Sequence, residues 1–289
     1  MMIDPTSRSD GYGDGDRDGD GYGDGHGDGR SGDDEHGTGH SVDLSGTTIE
    51  EVYDKFADSY QVRTEETRIR GFQREMLNKF PHHGFTLDLG CGAGPVGRLI
   101  RESFLNSALV DSNTNRTKVS KQAEVYVHGV DISTNMLKQP WCIRYYDSTQ
   151  HGFIQDVLLD PSADWMEHTV INGREQNPTL SESMVDHITC FGALHFLNPT
   201  EFEAVLSRMF ALARRSVMFD IDDLCPMYIN YLLEKHGEGL RNYNHVAAYR
   251  KFGTPLGWTK VVEEESMIYH SPSVGIDVRG ILVRFEQVD

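Results

Sequence analysis

The chain has only four cysteines in 289 residues, Cys91, Cys142, Cys190 and Cys225, and no two of them form a CxxC pair. Each lies in or beside an apolar segment, as expected in a reduced compartment where thiols act as small hydrophobes, and no metal site is suggested. Long apolar runs are missing as well. Nothing uninterrupted is long enough to cross a bilayer, and MMIDPTSRSD at the amino terminus has neither the apolar stretch of a secretory signal nor the acid-poor character of a mitochondrial presequence. A cytoplasmic protein with no membrane partner is expected. Positive charge is short too: 27 Lys and Arg face 45 Asp and Glu, a net charge of −18. Attraction to nucleic acid or anionic lipid rests on neutralising phosphates with Lys and Arg, so this balance disfavours both and favours a small soluble partner.

The negative charge is unevenly spread. Residues 1–46 hold twelve acids against Arg8, Arg17 and Arg30, about half of the whole excess. Between residues 10 and 32 Gly alternates with Asp, with almost no side chain able to offset the entropy of chain ordering through burial, so disorder is expected. Asp14, Asp16, Asp18 and Gly19 match the opening of a calcium-binding loop, yet its twelfth position is Gly25 where a bidentate Glu is required. The Gly-rich flanks cannot supply the two helices that hold such a loop. We therefore divide the chain into a tail, residues 1–46, and one folded domain, residues 47–289.

The domain alternates two periodicities. TTIEEVYDKFADSY places Ile49, Val52, Tyr53, Phe56 and Tyr60 at helical spacing behind a Thr that can cap the helix. FTLDLG reads as a strand, followed by a helix with Pro95 in its first turn and Val96, Leu99, Ile100 and Phe104 on one face. EVYVHGVD, residues 124–131, reads as the second strand, leading to a helix capped by Ser133 and stopped by Pro140. Further strands are expected at GFIQD (152–156), MVDHITCF (184–191) and SVMFDI (216–221). A helix capped by Asn198, with Pro199 first and Phe202, Val205, Leu206, Met209 and Phe210 buried, separates the last two. The final two strands, near 261–269 and 276–285, share a short turn and so form an antiparallel hairpin. Such alternation implies an α/β domain whose parallel sheet is covered on both faces, with ligands outside the carboxyl ends of its strands. Residues of about 109–123 and 158–182 keep neither period and read as insertions.

The stretch GCGAGPVG, Gly90 to Gly97, fits two chemistries. Taken from Gly92 it is a dinucleotide fingerprint, with Asp111 placed to hold a ribose in a nicotinamide-dependent oxidoreductase. Taken from Gly90 it leads the series DLGCGAG, GVDIS with ML after it, an acid after the third strand, and VDHITCFGALHFL. In that order these segments resemble class I S-adenosylmethionine-dependent methyltransferases, and VYDKFADSY resembles that family's YDxxAxxYD entry segment. The resemblance covers roughly residues 50–289. It implies a Rossmann-like, doubly wound, mostly parallel seven-stranded sheet with an antiparallel carboxyl-terminal hairpin strand, and S-adenosylmethionine as cofactor. It also implies site roles. Gly90, Gly92 and Gly94 let the backbone approach the cofactor, Asp88 orients its ammonium end, and Asp131 accepts both ribose hydroxyls. Ile132 packs on the adenine, Asp156 and Val157 meet its edge, Phe191 lines the floor, and Tyr60 closes the site.

Transfer from a sulfonium needs mainly an acceptor placed in line, with a general base only where the acceptor carries a proton. His195 is the candidate base, with Asp222 and Asp223 near the acceptor side. The segment 225–258, with Tyr228, Tyr231, Tyr243, Tyr249, Phe252, Trp258, His236 and His245, reads as a helical lid over a small, partly apolar or aromatic acceptor. No NPPY-like tetrapeptide follows the fourth strand, which argues against a nucleic-acid amine. A noncatalytic cofactor-binding subunit that scaffolds a partner is the alternative of a different class.

Overall fold

The computed structural model describes residues 48–64, 67–112, 125–159, 170–171, 174–175, 185–237, 240–271 and 274–288. The acidic tail with its calcium-like stretch, and most of both insertions, lie outside the described residues.

The chain enters through α1 (Ile49–Thr64). The Thr48 hydroxyl accepts the Glu51 amide at 3.3 Å and Glu51 Oε2 accepts the Thr48 amide at 3.1 Å, a reciprocal cap. Next come α2 (Arg68–Lys79), β1 (Gly84–Leu89), α3 (Pro95–Ser112) and β2 (Val125–Asp131). Two short helices follow: α4 (Thr134–Leu137) is capped by Ser133, and Pro140, placed just after it, opens α5 (Pro140–Tyr145). The chain continues through β3 (Ser148–His151), α6 (Ile154–Leu159) and a two-strand ribbon of β4 (Val170–Ile171) and β5 (Arg174–Glu175). It then forms β6 (Val185–Cys190), α7 (Pro199–Leu212), β7 (Ala213–Asp223), α8 (Pro226–His236), α9 (Val246–Phe252), β8 (Trp258–Ser271) and β9 (Ile276–Gln287). Asn198 caps α7 in the same reciprocal manner with Glu201. No helix of the described residues is long and apolar enough to cross a membrane.

Seven strands make one sheet in the order β3-β2-β1-β6-β7-β9-β8. The pairs from β3 to β7 are parallel, while β9 is antiparallel to both β7 and β8. The doubly wound sheet with its antiparallel ending is thus as expected. One strand is displaced. The third strand is Ser148–His151, not 152–156, and residues 154–159 form α6. The run GFIQDVLL has Ile154, Val157 and Leu158 buried at helical spacing, whereas STQH is an edge strand exposed at alternate positions.

Both sheet faces are covered. Leu87, Leu89, Ile188, Val217, Phe219, Val283 and Phe285 pack beneath α6, α7 and α9. On the other face Phe72, Met76 and Leu77 of α2, with Val96, Leu99 and Ile100 of α3, cover Val125, Val127, Met218 and Leu282. The strand order reverses between β1 and β6, which opens a crevice at their carboxyl ends, where parallel sheets bind ligands.

Candidate functional site

Two adjoining cavities occupy that crevice, sharing Tyr53, Gly90 and Gly192 in their walls. The first, about 320 Å³, runs over Gly92, Asp131, Ile132 and residues 152–155 to the start of α7. The second, about 750 Å³, lies over Asp88, Phe191, His195 and Asp222 and reaches Arg70 and Gln73 of α2.

The glycine loop is shaped by packing. Gly90 has φ +68° and Gly94 φ +91°, a region that side chains disfavour. A Cβ on Gly90 would lie 2.6 Å from Ala193 Cβ, and one on Gly94 2.6 Å from the Cys142 amide nitrogen. Gly90 and Gly92 line the first cavity; Gly94 is not among the lining residues of either, and its missing side chain admits the backbone of α5.

Asp131 finishes β2 with its carboxylate turned toward this loop. Its Oδ2 accepts the Gly92 amide at 2.8 Å and its Oδ1 the Ser133 amide at 2.8 Å. Burial pushes its carboxyl up to about 6, opposed by these two amides. Ile132 stands beside it in the first cavity, and its carbonyl accepts from His151 Nε2 at 2.7 Å. Over this edge lies α1, where Asp54 Oδ1 accepts from the Ser133 hydroxyl at 2.5 Å and the Asn135 amide at 3.0 Å. The preceding residue, Tyr53, enters both cavities and meets the Phe196 ring edge-on at 5.8 Å. The Tyr60 side chain, expected to close the site, lies outside the described residues.

Asp88 is buried under the loop. Its Oδ1 accepts from the Thr189 hydroxyl at 2.6 Å and its Oδ2 from the Tyr146 hydroxyl at 2.5 Å. Burial pushes its carboxyl up to about 6 despite these donors. Tyr146 in turn accepts the Gly97 amide at 3.0 Å, and its ring fills the space that a Cβ at Gly97 or Gly129 would take.

Asp156 and Val157 are placed elsewhere than expected. Because residues 154–159 are helical, Asp156 faces solvent and Val157 enters the core, 3% exposed; Phe153, Ile154 and Gln155 line the first cavity instead. Asp111 falls in the last turn of α3 and does not end a strand. The acid that ends the second strand is Asp131.

Phe191 and His195 both line the second cavity. His195 Nδ1 lies 3.0 Å from Asp222 Oδ2, in a part of the site where the Asp222 side chain is 2% exposed. Two residues earlier on β7, Asp220 accepts the Gly192 amide at 2.7 Å. Its carboxyl is pushed up to about 7 by burial and then by the neighbouring Asp222. Arg70 and Gln73, on a helix that the sequence pattern does not reveal, share a hydrogen bond and are 4% and 1% exposed.

Several aromatic side chains of the segment 225–258 pack against the core. Tyr249, Phe252 and Trp258 join the core around Phe210, and Tyr228 packs with Leu224 and Val278. His245 stacks on Phe202 at 4.1 Å. From this segment Arg241 and Tyr243 reach the first cavity.

This architecture is that of a known enzyme fold. A SAM-dependent methyltransferase from Anabaena variabilis superposes with a TM-score of 0.50 at 13% identity, covering 82% of this chain and 93% of that one. The chain therefore has the fold of S-adenosylmethionine-dependent methyltransferases. Two further solved structures align at lower scores. One is the 1,6-didemethyltoxoflavin-N1-methyltransferase of Burkholderia thailandensis (TM-score 0.49, 14% identity, 83% and 88% covered). The other is the magnesium protoporphyrin IX methyltransferase of Synechocystis (TM-score 0.44, 16% identity, 82% and 98% covered). No protein-family model and no curated protein matches the sequence.

Proposed function

We propose that the chain is an S-adenosylmethionine-dependent methyltransferase acting on a small, partly apolar or aromatic acceptor. The observation that carries this reading is Asp131, which finishes β2 and bridges the Gly92 and Ser133 amides at the lip of the first cavity. A carboxylate there has lone pairs left to accept a ribose diol. The chain's other residues fit the rest of the cofactor. Ile132 and Phe153 offer apolar contact to a base, and Gly90 and Gly192 leave room where the two cavities meet. Beyond them Asp88 and Arg70 present opposite charges to an amino-acid end.

When bound, the cofactor supplies an activated methyl group, so the protein's work is placement and exclusion of water. Tyr53, held over the junction by the Asp54 contacts to Ser133 and Asn135, shields that junction. His195 and Asp222 stand on the far side, where an acceptor would enter.

The test is ligand protection. A ligand bound only by the native state stabilises by RT ln(1 + [L]/Kd), about 2.7 kcal/mol at a hundredfold excess over Kd. S-adenosylhomocysteine should raise the melting temperature and NAD should not; protection by NAD alone would overturn the proposal. Transfer of a labelled methyl group by the chain alone separates an enzyme from a noncatalytic subunit.

A further inference from the structure

The second cavity holds a carboxylate whose charge the fold does not complete. Asp222 is 2% exposed at its side chain; Oδ2 is engaged by His195 Nδ1 at 3.0 Å, while Oδ1 has no hydrogen-bond partner among the described residues. One step back on the same side of β7, Asp220 is also buried with Oδ2 unpartnered. A buried carboxylate oxygen without a donor is costly, and a cationic donor answers it best. The charged and titratable groups lining the cavity are Tyr53, Arg70, Asp88, Cys91, His195, Asp222, Tyr269 and His270. His270 is drawn to Asp277 at 2.7 Å, and the Arg70 charge acts on Asp88, favouring its ionised form. The acceptor side is therefore negative, and Tyr53, Phe191 and Tyr269 offer it aromatic surface that suits a cation.

We infer that the second cavity takes a small arylalkylamine, with its ammonium group held by Asp222 and its proton received by His195. This rests on the methyltransferase reading. Asp222 fixes the imidazole proton on Nδ1 and leaves Nε2 as the base. The N–H bond breaks and the proton passes to Nε2. The freed nitrogen lone pair then forms the N–CH3 bond while the S–CH3 pair returns to sulfur. The products are a methylammonium, a neutral thioether and an imidazolium, so the two positive charges that enter are kept.

The test uses the whole chain saturated with S-adenosylhomocysteine, with 2-phenylethylamine, 2-phenylethanol and phenylacetate as probes in thermal-shift titrations. The amine should add a further shift that the alcohol and the carboxylate do not. Asp222→Asn should retain the S-adenosylhomocysteine shift but weaken the amine about 30-fold or more, the low end for removing one member of a buried charge pair. An alcohol or carboxylate that adds as much as the amine overturns the inference, as does an unchanged amine affinity in the variant. Absence of any S-adenosylhomocysteine shift in the unmodified chain would instead strike the methyltransferase reading. With labelled donor, His195→Gln should lose most transfer to the amine at pH 7 and recover as the pH approaches the amine's own pKa. A deficit that is constant across pH would remove His195 from the role of base.

Discussion

Asp131 Oδ2 accepts the Gly92 amide at 2.8 Å across 39 residues of sequence, joining the end of β2 to the turn that follows β1. One carboxylate thereby holds the loop in shape and faces the cavity that the loop helps to form. Asp131→Ala removes both functions. Hydrogen bonds to a charged group contribute about 1.5–3 kcal/mol, so S-adenosylhomocysteine affinity should fall by roughly 10- to 150-fold. Calorimetric titration reads this directly. Asp111→Ala, in the last turn of α3, should leave the affinity unchanged.

The same residue makes cofactor binding pH-dependent. Its carboxyl is held up at about 6 by burial, and only the ionised form can accept from two hydroxyls while still holding both amides. Binding therefore favours loss of the proton. Affinity should rise as pH increases from 5 through 6 and level off above it. Asp88, also held up at about 6, lies near enough to share in this window. Comparing Asp131→Asn with the unmodified chain isolates the contribution of Asp131: the slope between pH 5 and 7 should be shallower in the variant.

How much of this could be read from the sequence depended on how local each cause is. The glycine turn, the Asp131 strand end and the Asn198 cap of α7 follow from chemistry within a few residues, and all three stand where expected. The third strand does not announce itself because Ser148–His151 lies at the sheet edge with alternate residues exposed and needs no apolar run. The apolar run beside it belongs to the buried face of α6, which is why Asp156 was expected on a strand. Helix α2 hides for the opposite reason: it buries Arg70 and Gln73 along with Phe72, Met76 and Leu77, so polar residues interrupt its apolar face. Its place in the site depends on the cavity, which no spacing in the chain reports.

At the opposite end of the strands, His82 and His187 stack at 4.0 Å with their planes 5° apart. Burial and then the Arg284 charge lower His187 to about 3, and burial with the His187 charge depresses His82 well below its usual value. The unfolded chain takes up protons near pH 6.5, while the folded chain cannot until far lower. It therefore binds fewer protons in that interval, and stability is lost as pH falls from about 6.5 toward 3. His187→Gln should flatten part of this acid limb in urea melts recorded between pH 7 and 4. An unchanged limb would remove His187 as a source of it.

Gly97 closes the dinucleotide-like reading of the loop, yet its role here is to admit the ring of Tyr146. That ring lies between Gly97 and Gly129, with its hydroxyl taking the Gly97 amide and giving its proton to Asp88. Gly97→Ala would drive a methyl group into the ring, and overpacking of this kind costs about 1–3 kcal/mol. Tyr146→Leu should also destabilise, because it leaves the buried Asp88 Oδ2 without its donor. If the steric account is right, the two changes are not additive: once the ring is gone, the alanine methyl has space, and the double variant should be less destabilised than the sum of the singles. Urea midpoints of the four proteins measure this coupling. Strict additivity would mean that Gly97 is needed for its backbone alone, and that the contact with Tyr146 does not select glycine there.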